Sequence, residues 1–396
     1  MKRYLSSFVV KDVCDKIVFI TGPRQCGKTT LSKALFSDPV YLNYDSEEDR
    51  LIILRKTWKR RHSLVIFDEL HKMQNWKQWL KGIYDTQQPY QPTVVTGSAR
   101  LDAFRHAGDS LAGRFFQFRL HPLDLKELSE DINDDQNKES VLSQIFEKLW
   151  EYGPFPEPFL KADPVFYRRW KASHLEIILK QDLQDLSSIR DIKQVETLVL
   201  LLKERVGSPV SARSFAQDLQ KDPNTIQRWL SLLESLYIVF KVTPYHHNIA
   251  RAILKEPKYY FYDFCQVTES EGAKFENMVA CALLKQCDYI EDTQGYSMRL
   301  HYVRTRDGKE IDFLTVKENR PQALIEAKLS VDKPSSSFKV ILPFFEKKNL
   351  QLRPIQVVKT LSQDQEWYAQ NPDRVTISVQ GAQSFLTRGL ESLEHF

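Results

Sequence analysis

The chain has 396 residues, of which 42% are hydrophobic and 27% charged, with a net charge of only +4. A chain of this length exceeds one ordinary hydrophobic core and predicts two to four domains. The near balance of charge excludes a protein that binds nucleic acid through an overall polycationic surface, so any basic surface must be local.

Neither membrane insertion nor structural zinc is indicated. The longest apolar run, Leu198–Leu202, is far too short to span a bilayer. Near the start, Lys11 and Asp12 interrupt an apolar stretch that therefore does not resemble a signal peptide. The five cysteines are scattered and form no CxxC pair. We therefore expect a cytoplasmic protein with reduced thiols, no membrane partner and no zinc.

Four apolar runs alternate with polar, helix-compatible segments near the start of the chain: KIVFI, PVYLNYD, SLVIFDE and PTVVTGS. Continuous apolar strands between helices predict a parallel sheet that is covered on both faces. The sequence thus predicts an α/β domain over residues 1–128.

Directly behind the first run lies the stretch ITGPRQCGKTT, Ile20–Thr30. Gly22, Gly27, Lys28 and Thr29 have the spacing of a P-loop, whose backbone N–H groups surround phosphate oxygens. Lys28 would reach the β- and γ-phosphates of ATP, and the Thr29 hydroxyl would ligate Mg²⁺. A chance match in a strand–turn–helix connection is the alternative, but the strand before and the helix after favour nucleotide binding. The candidate nucleotide-binding residues are Gly22, Pro23, Arg24, Gln25, Cys26, Gly27, Lys28, Thr29 and Thr30.

A pair of carboxylates, Asp68 and Glu69, follows the apolar run LVIF. In a buried parallel strand they would reach the carboxyl end of the sheet, where α/β folds bind ligands. Asp68 would hold Mg²⁺, directly or through water, and Glu69 would orient and deprotonate the attacking water. The alternative is a strand that ends in a solvated acidic turn. The presence of a P-loop in the same chain makes this alternative less favoured.

Three more residues could assist phosphate transfer. Ser98 ends the next apolar strand and could hydrogen-bond the γ-phosphate or water, although a plain polar strand end also fits. Arg114 or Arg105 could place a guanidinium against the negative charge of the γ-phosphate. An ordinary surface ion pair is the alternative for each arginine, and we favour Arg114 as the catalytic one.

The middle of the chain changes character twice. An acidic, polar stretch at Ser129–Ser140 opens a linker and helical region that we place at residues 129–205. Two short helices with a KDPN break between them then precede the strand-like KVTPY. This order predicts a winged helix-turn-helix over residues 206–250. Because few basic residues lie on its second helix, a packing module that never touches DNA is an equal alternative.

These motifs together resemble those of the bacterial and archaeal ATPases of the AAA+ type. The segments that carry the resemblance are GPRQCGKTT, YLNYD, LVIFDELHKMQNWKQWLK, VVTGSARLDAFRHAGDSLAGR and GPFPEPF. The resemblance extends over nearly the whole chain and implies an ATPase with Lys28, Thr29, Asp68, Glu69 and Ser98 at the matching positions. It also implies a C-terminal winged helix, a restriction-endonuclease-like fold and a DNA-related task.

Residues 251–396 contain the pattern of that endonuclease-like fold, called PD-(D/E)xK. Asp312 lies on one predicted strand, Glu326 and Lys328 lie on the next, and Glu276 lies on a helix upstream. Residues two apart on a strand share a face, so Glu326 and Lys328 project together. Asp312 and Glu326 would bind Mg²⁺, Lys328 would steady the water or the phosphate, and Glu276 would add a carboxylate. An ordinary ion pair of Lys328 on a solvated sheet face is the alternative.

The sequence therefore predicts an ATP-hydrolysing protein that uses ATP and Mg²⁺ and controls a C-terminal nuclease-like unit acting on DNA. A homo-oligomer is a further expectation, because the AAA+ resemblance favours an arginine supplied by a neighbouring subunit. The alternative is an ATP-driven switch or scaffold whose nuclease-like domain is a silent binding module. A small-molecule kinase is disfavoured, because Asp68-Glu69 supplies a water-activating glutamate and no acceptor site is recognised.

Overall fold

The computed structural model describes residues 2–390 except 60–61, 87–88, 98–110, 133–136, 183–190, 247–255, 331–332, 348–349, 351, 362 and 369–375. Contacts divide the chain into an N-terminal unit, Met1–Pro122 with Ser235–Tyr237, and a C-terminal unit, Leu123–Glu234 with Ile238–Phe396. In the described part of the chain, no helix has both the length and the apolar character needed to cross a membrane.

The N-terminal unit alternates strands and helices, as its apolar runs predict. Its strands are β1 (Ile17–Thr21), β2 (Pro39–Asn43), β3 (Leu64–Asp68), β4 (Thr93–Thr96) and β5 (Phe115–Arg119). Its helices are α1 (Ser6–Asp12), α2 (Lys28–Ala34), α3 (Glu47–Arg55) and α4 (Trp76–Thr86). A 3₁₀ turn at Leu70–Lys72 follows β3.

These five strands form one parallel sheet in the order β2-β3-β4-β1-β5. Every residue of β1 and β3 is buried, which accounts for their continuous apolar sequence. The parallel order brings Thr21, Asp68 and Thr96, the last residues of β1, β3 and β4, to one edge of the sheet. The predicted parallel α/β sheet is thus confirmed, and its carboxyl edge is the place for a ligand.

Aromatic side chains fix the sheet against α4. Phe19 of β1 meets Trp76 edge to face with ring centroids 5.8 Å apart, and Phe67 of β3 meets Trp79 at 5.4 Å. The buried residues of α4 recur at helical spacing, so one apolar stripe faces this core. The packing holds β3 in a fixed register, which in turn fixes the position of Asp68 at its end.

The first half of the C-terminal unit is mostly helical. Its helices are α5 (Leu125–Ser129), α6 (Lys138–Tyr152), α7 (Pro156–Lys161), α8 (Pro164–Ile177), α9 (Ile192–Glu204), α10 (Ala212–Leu219) and α11 (Pro223–Ser235). Strands β6 (Val239–Pro244) and β7 (Lys258–Phe261) then pair antiparallel. The order of α10, α11, β6 and β7 is compatible with the predicted winged helix, which stays a prediction. The β6–β7 pair lies across the boundary that we predict at residue 250.

The rest of the C-terminal unit is a mixed α/β layer. Its elements are α12 (Glu271–Gln294), β8 (Met298–Arg304), β9 (Glu310–Lys317), β10 (Arg320–Lys328), α13 (Ser336–Glu346), β11 (Arg353–Val358), β12 (Gln365–Tyr368), β13 (Thr376–Gly381) and α14 (Ala382–Arg388). The sheet order is β12-β13-β11-β10-β9-β8-β6-β7. Strands β8, β9 and β10 pair antiparallel, whereas β10 and β11 pair in parallel, with α13 between them in the chain.

Helix α12 is longer than the sequence pattern indicates. We predict a helix over Glu271–Gln286, and the structure extends it by two turns to Gln294. Ser270 caps its start by accepting a hydrogen bond from the backbone of Ala273, and Gly295 ends it with φ 78°. These caps, rather than the end of the apolar stripe, set its length.

Candidate functional site

The loop between β1 and α2 contains two glycines with positive φ, which allow the chain to change direction. Gly22 has φ 143°, and a Cβ built there would lie 2.2 Å from the carbonyl oxygen of Leu120. Gly27 has φ 98° and caps the start of α2. Glycine alone accepts such conformations and such a close approach without strain, so the geometry explains why these two positions are glycine.

Buried groups support this loop from the protein interior. Arg3 donates to the carbonyl oxygens of Cys26 and His121, each at 2.6 Å. The Cys26 thiol is buried and donates to the carbonyl oxygen of Leu120 at 3.3 Å. The Cys26 side chain therefore supports the loop, and only its backbone could take part in the predicted nucleotide binding.

The Lys28 ammonium lies at the centre of the loop. It donates to the carbonyl oxygens of Gly22 at 2.9 Å and Pro23 at 2.7 Å. Of the other predicted loop residues, Arg24 is half-buried, whereas Gln25 and Thr30 are exposed. A positive charge surrounded by curled backbone is the arrangement that a polyphosphate needs.

Thr29 and Asp68 meet at the carboxyl edge of the sheet. Thr29 Oγ1 donates a hydrogen bond to Oδ2 of Asp68 at 3.0 Å. The contact forms because α2 begins just after β1 and Asp68 ends β3. Hydroxyl and carboxylate oxygens are ligands that Mg²⁺ prefers, so this pair fits the predicted Mg²⁺ site.

Two further side chains fix the Asp68 carboxylate, and sequence reasoning missed both. Thr96 of β4 donates to Oδ1 at 2.6 Å, and Tyr41 of β2 donates to Oδ2 at 2.7 Å. Burial and the bond to Asp68 raise the pKa of Tyr41, so its hydroxyl remains a donor. Both residues lie on strands whose apolar pattern was recognised, but only the strand order places them beside Asp68.

Glu69 follows Asp68 in a left-handed backbone conformation, with φ 55°. Such conformations of non-glycine residues are concentrated at functional sites. Its Oε2 lies 3.5 Å from Nε2 of His71 and 3.8 Å from Nζ of Lys72. Burial, followed by the negative charge of Asp68, raises the pKa of Glu69. A carboxylate with a raised pKa is the stronger base, which suits a group that accepts a proton from water.

Arg114 lies at the opposite edge of the sheet from the P-loop. Its carbonyl oxygen accepts from the backbone of Ile17, the first residue of β1, at 3.0 Å, and the P-loop follows the other end of that strand. A five-residue strand is about 16 Å long. The guanidinium forms a two-bond ion pair with Asp85 at 2.7 and 3.2 Å. In this position Arg114 does not reach the P-loop of its own chain. Ser98 and Arg105 lie outside the described residues.

The C-terminal unit brings its four predicted site residues together. The backbone N–H of Asp312 donates to Oε2 of Glu326 at 3.3 Å, and that of Ala327 donates to Oδ2 of Asp312 at 2.9 Å. Lys328 pairs with Oε1 of Glu326 at 2.7 Å. Glu276 approaches the same place from α12. We call Glu276, Glu310, Asp312 and Glu326 the carboxylate cluster.

A lysine that the sequence analysis did not single out lies among these carboxylates. Lys258, the first residue of β7, is fully buried. Its Nζ lies 2.7 Å from Glu310, 3.2 Å from Glu276 and 3.6 Å from Asp312. Burial by itself lowers the pKa of Lys258, but the charges of these carboxylates outweigh burial and raise it. The lysine therefore stays charged and acts as the cation of the carboxylate cluster.

Two other residues, Tyr260 and Gly207, lie close to the carboxylate of Glu276. Tyr260 donates to its Oε1 at 2.7 Å, and a Cβ built on Gly207 would lie 2.8 Å from either carboxylate oxygen. Burial and the charge of Asp312 raise the pKa of Glu276 to about 7, and the same two causes raise that of Glu326 to about 7. The cluster thus holds more negative charge than its two lysines balance, and its proton affinity rises accordingly.

Lysines engage the carboxylates of this arrangement. Mg²⁺ requires several oxygen ligands around one point, whereas Lys258 and Lys328 already pair with all four carboxylates. Across the described ranges, no three His, Cys, Asp or Glu side chains are placed to hold a metal ion. The metal role of Asp312 and Glu326 stays a prediction.

The first third of the chain is similar to a known family. Residues 14–129 match the family described as AAA domain. Residues 143–267 and 271–378 match two families described as domains of unknown function, DUF8612 and DUF4143. The first match covers the P-loop, Asp68 and Glu69, and the other two lie in the C-terminal unit apart from Ser235–Tyr237.

Two relatives align along most of the chain. An uncharacterized protein of Methanocaldococcus jannaschii is 24% identical over 342 residues, which cover 78% of this chain and 74% of the relative. An uncharacterized protein of Haemophilus influenzae is 22% identical over 351 residues, which cover 80% and 83%. Both alignments are longer than either unit, so they include parts of both.

Solved structures are similar at a low level. The Orc1 protein of Aeropyrum pernix in complex with DNA aligns with a TM-score of 0.34 at 13% identity and covers 71% of this chain and 94% of that chain. A RuvB variant of Thermotoga maritima aligns at 0.27 with 17% identity and covers 60% and 87%. Residues 14–129, which contain the P-loop and the contact between Thr29 and Asp68, are therefore similar to an AAA domain.

Proposed function

We propose that the N-terminal unit binds ATP with Mg²⁺ and hydrolyses it. The observation that carries the proposal is the bond between Thr29 and Asp68 at 3.0 Å, which joins the P-loop to the end of β3. Lys28 supplies the positive charge for the β- and γ-phosphates, and Thr29 with Asp68 would hold Mg²⁺. The metal, when bound, neutralises phosphate charge during transfer.

Glu69 has the role of general base. It sits one residue beyond the Mg²⁺ carboxylate, and its raised pKa makes it a better proton acceptor than an exposed glutamate. Thr96 and Tyr41 hold Asp68 in one orientation. The raised pKa of Glu69 supports transfer to water rather than to a second substrate.

The test separates binding from chemistry. Lys28→Ala should weaken ATP binding, whereas Glu69→Gln should leave binding nearly intact and reduce phosphate release by at least about 100-fold. Fluorescent-nucleotide titration and a phosphate-release assay measure the two steps. Glu48→Gln, an exposed carboxylate on α3, is the matched control. Turnover by Glu69→Gln at the wild-type rate would show that another group activates the water.

For the C-terminal unit we propose a binding module that the ATP cycle switches, with DNA as its partner. The meeting of Asp312, Glu326, Lys328 and Glu276 supports a second candidate, metal-dependent cutting of DNA, because these are the residue types that such chemistry uses. The ion pairs of Lys258 and Lys328 argue against it, since they involve the carboxylates that a metal would need. The silent module is therefore the better supported of the two.

A cleavage assay with plasmid and single-stranded DNA distinguishes the binding module from the metal-dependent nuclease. Purified full-length protein is incubated with each DNA in Mg²⁺, Mn²⁺ or EDTA, with and without ATP. The binding module predicts intact DNA under every condition. Cleavage that requires metal and is lost in both Asp312→Ala and Glu326→Ala, but not in Lys317→Ala, would establish the nuclease instead.

A further inference from the structure

Lys72, in the 3₁₀ turn after β3, lies between two carboxylates of the N-terminal unit. Its ammonium nitrogen is 2.6 Å from Oδ2 of Asp45 and 3.8 Å from Oε2 of Glu69. Asp45 follows β2 and Glu69 follows β3, and these two strands are neighbours in the sheet. A single lysine therefore ties the glutamate at the end of β3 to the loop at the end of the adjacent strand.

The strand register fixes Asp45 opposite this turn. Asn43, the last residue of β2, pairs with Asp68, the last residue of β3. The backbone N–H of Tyr44 then donates to the carbonyl oxygen of Asp68 at 3.0 Å. The backbone N–H of Asp45 donates to Oδ1 of Asn43 at 2.9 Å, and Arg50 of α3 donates to the carbonyl oxygen of Asp45 at 3.3 Å. Asp45 thus has a well-supported backbone from which its carboxylate holds Lys72.

Glu69 is held by charge at one of its two carboxylate oxygens. Oε2 lies 3.5 Å from Nε2 of His71 and 3.8 Å from Nζ of Lys72. This oxygen is shielded from solvent and accepts no hydrogen bond from the residues that the structure describes. The 19% of the Glu69 side chain that is exposed therefore belongs to its other atoms. Coulomb attraction at these distances orients a carboxylate while its lone pairs stay available to accept a proton.

The ion pair between Lys72 and Asp45 is too exposed to contribute much to stability. The Lys72 side chain is 27% exposed and that of Asp45 is 50% exposed. Solvent and salt weaken such pairs, and many contribute almost nothing to the free energy of unfolding. Loss of this pair should therefore leave the fold intact, so an effect on turnover can be attributed to the position of Glu69.

We propose that Lys72, anchored by Asp45, is a positioning residue that holds the Glu69 carboxylate where it accepts the proton of the attacking water. Glu69 contacts the reacting water, whereas Lys72 acts only through Glu69. Proton transfer requires hydrogen-bond distance between base and water, so a carboxylate displaced by about 1 Å loses much of its effect on rate. The proposal rests on the proposed ATPase function and names how that site keeps its base in place.

Phosphate release by the full-length protein over a range of ATP concentrations tests this role. Lys72→Met removes the charge but keeps most of the side-chain length. It should lower kcat about tenfold and leave KM for ATP within about twofold, because Lys28 still binds the phosphates. Lys72→Arg retains the charge and should recover most of kcat. Asp45→Asn should lower kcat by a smaller factor, because Lys72 then keeps its charge but loses its anchor.

A matched variant and a stability measurement control for charge and for folding. Lys59→Met removes the same charge from an exposed position of the same unit and should turn over ATP as the wild type does. The midpoint of thermal unfolding of Lys72→Met should stay within about 2 °C of the wild type. A larger fall would assign the ion pair to stability and overturn the proposal.

A double variant separates action through Glu69 from independent action. Glu69→Gln has no carboxylate base to position, so adding Lys72→Met should not slow its residual turnover further. A further tenfold loss would overturn the proposal, because Lys72 would then act on the phosphate or on another group. Wild-type kcat in the single variant Lys72→Met would also overturn it. A rise in kcat would do the same and would show that Lys72 holds Glu69 away from the water.

Failure of the ATPase proposal gives a different pattern. A wild-type protein that releases no phosphate, or a Glu69→Gln variant that turns over at the wild-type rate, overturns the assigned base and the role of Lys72 together. Turnover that Glu69→Gln stops but that Lys72→Met leaves unchanged overturns only the role of Lys72, and the ATPase stands.

Discussion

The Lys258 ammonium lies 3.6 Å from Oδ1 of Asp312, the carboxylate that the sequence pattern assigns to a metal ion. A side chain from β7 thus brings a positive charge next to a carboxylate that the PD-(D/E)xK pattern assigns to metal binding. Because Lys258 is fully buried, it can leave only if the unit opens locally. The relationship gives the carboxylate cluster a structural role that the spacing of its acidic residues does not reveal.

Removal of this lysine should destabilise the C-terminal unit strongly. Lys258→Met leaves Glu276, Glu310 and Asp312 without their cation, which for a buried charge network costs about 3–5 kcal/mol. Urea unfolding of the full chain measures the loss, and the exposed Lys339→Met should stay within about 0.5 kcal/mol of the wild type. Adding Glu276→Gln to Lys258→Met should recover part of the stability. A loss below about 1 kcal/mol would contradict the assigned role.

Stability of the same unit should fall as pH rises from about 5 to 7. The pKa values of Glu276 and Glu326 are raised to about 7 in the folded state, above the ordinary 4.5. Between these values the folded state binds more protons than the unfolded state, so the free energy of unfolding decreases with pH. Thermal unfolding at pH 5, 6 and 7 measures the trend. Glu276→Gln/Glu326→Gln should flatten it, and an unchanged slope in that variant would refute the assignment.

Thr96 should affect ATP turnover without touching the nucleotide. Thr96→Val removes the bond to Oδ1 of Asp68 and so holds that carboxylate less firmly in its orientation. Loss of such an outer contact to a metal-binding residue costs roughly 10–100-fold in activity or metal affinity. The Mg²⁺ dependence of phosphate release measures it. Thr93→Val, on the same strand and also buried, should have little effect because its hydroxyl donates to the carbonyl of Gln91 rather than to Asp68.

Gly22 should tolerate no side chain. In Gly22→Ala the new Cβ would lie 2.2 Å from the carbonyl oxygen of Leu120, at a φ of 143°. The loop must shift, and ATP affinity should fall at least about tenfold because the phosphate-binding N–H groups move with it. The matched control is Gly82→Ala in α4, where a Cβ meets nothing within 4 Å. That variant should gain about 0.5–1 kcal/mol, since alanine favours helix.

Arg114 should act on the ATP of a neighbouring subunit. It lies at the edge of the sheet opposite its own P-loop and is held by Asp85. Specific ATPase activity should therefore rise with protein concentration and fall in Arg114→Ala. Mixing Arg114→Ala with Lys28→Ala should restore activity, because each variant supplies what the other lacks. Activity that stays constant on dilution, with no gain on mixing, would rule out the trans role.

The sequence by itself determined the local parts of both sites. The spacing of Gly22, Gly27 and Lys28 predicts the P-loop because its chemistry needs those residues at fixed offsets along the chain. The apolar run before Asp68 predicts a buried strand. Glu326 and Lys328 are two residues apart, so they are predicted to lie on the same face of a strand. In each case the interacting groups are close in sequence, so the pattern can be recognised without knowledge of the fold.

Tertiary structure alone decided which groups meet across the chain. Thr96 and Tyr41 reach Asp68 only because β4 and β2 flank β3, an order that no local pattern encodes. Lys258 belongs to no recognised motif and lies 54 residues before Asp312 in the sequence. It lies in the carboxylate cluster because β7 places it there. Coulomb and hydrogen-bond energies depend on distance in space, and strand order sets that distance. Whether a carboxylate meets a metal or a lysine is therefore a property of the fold rather than of the motif.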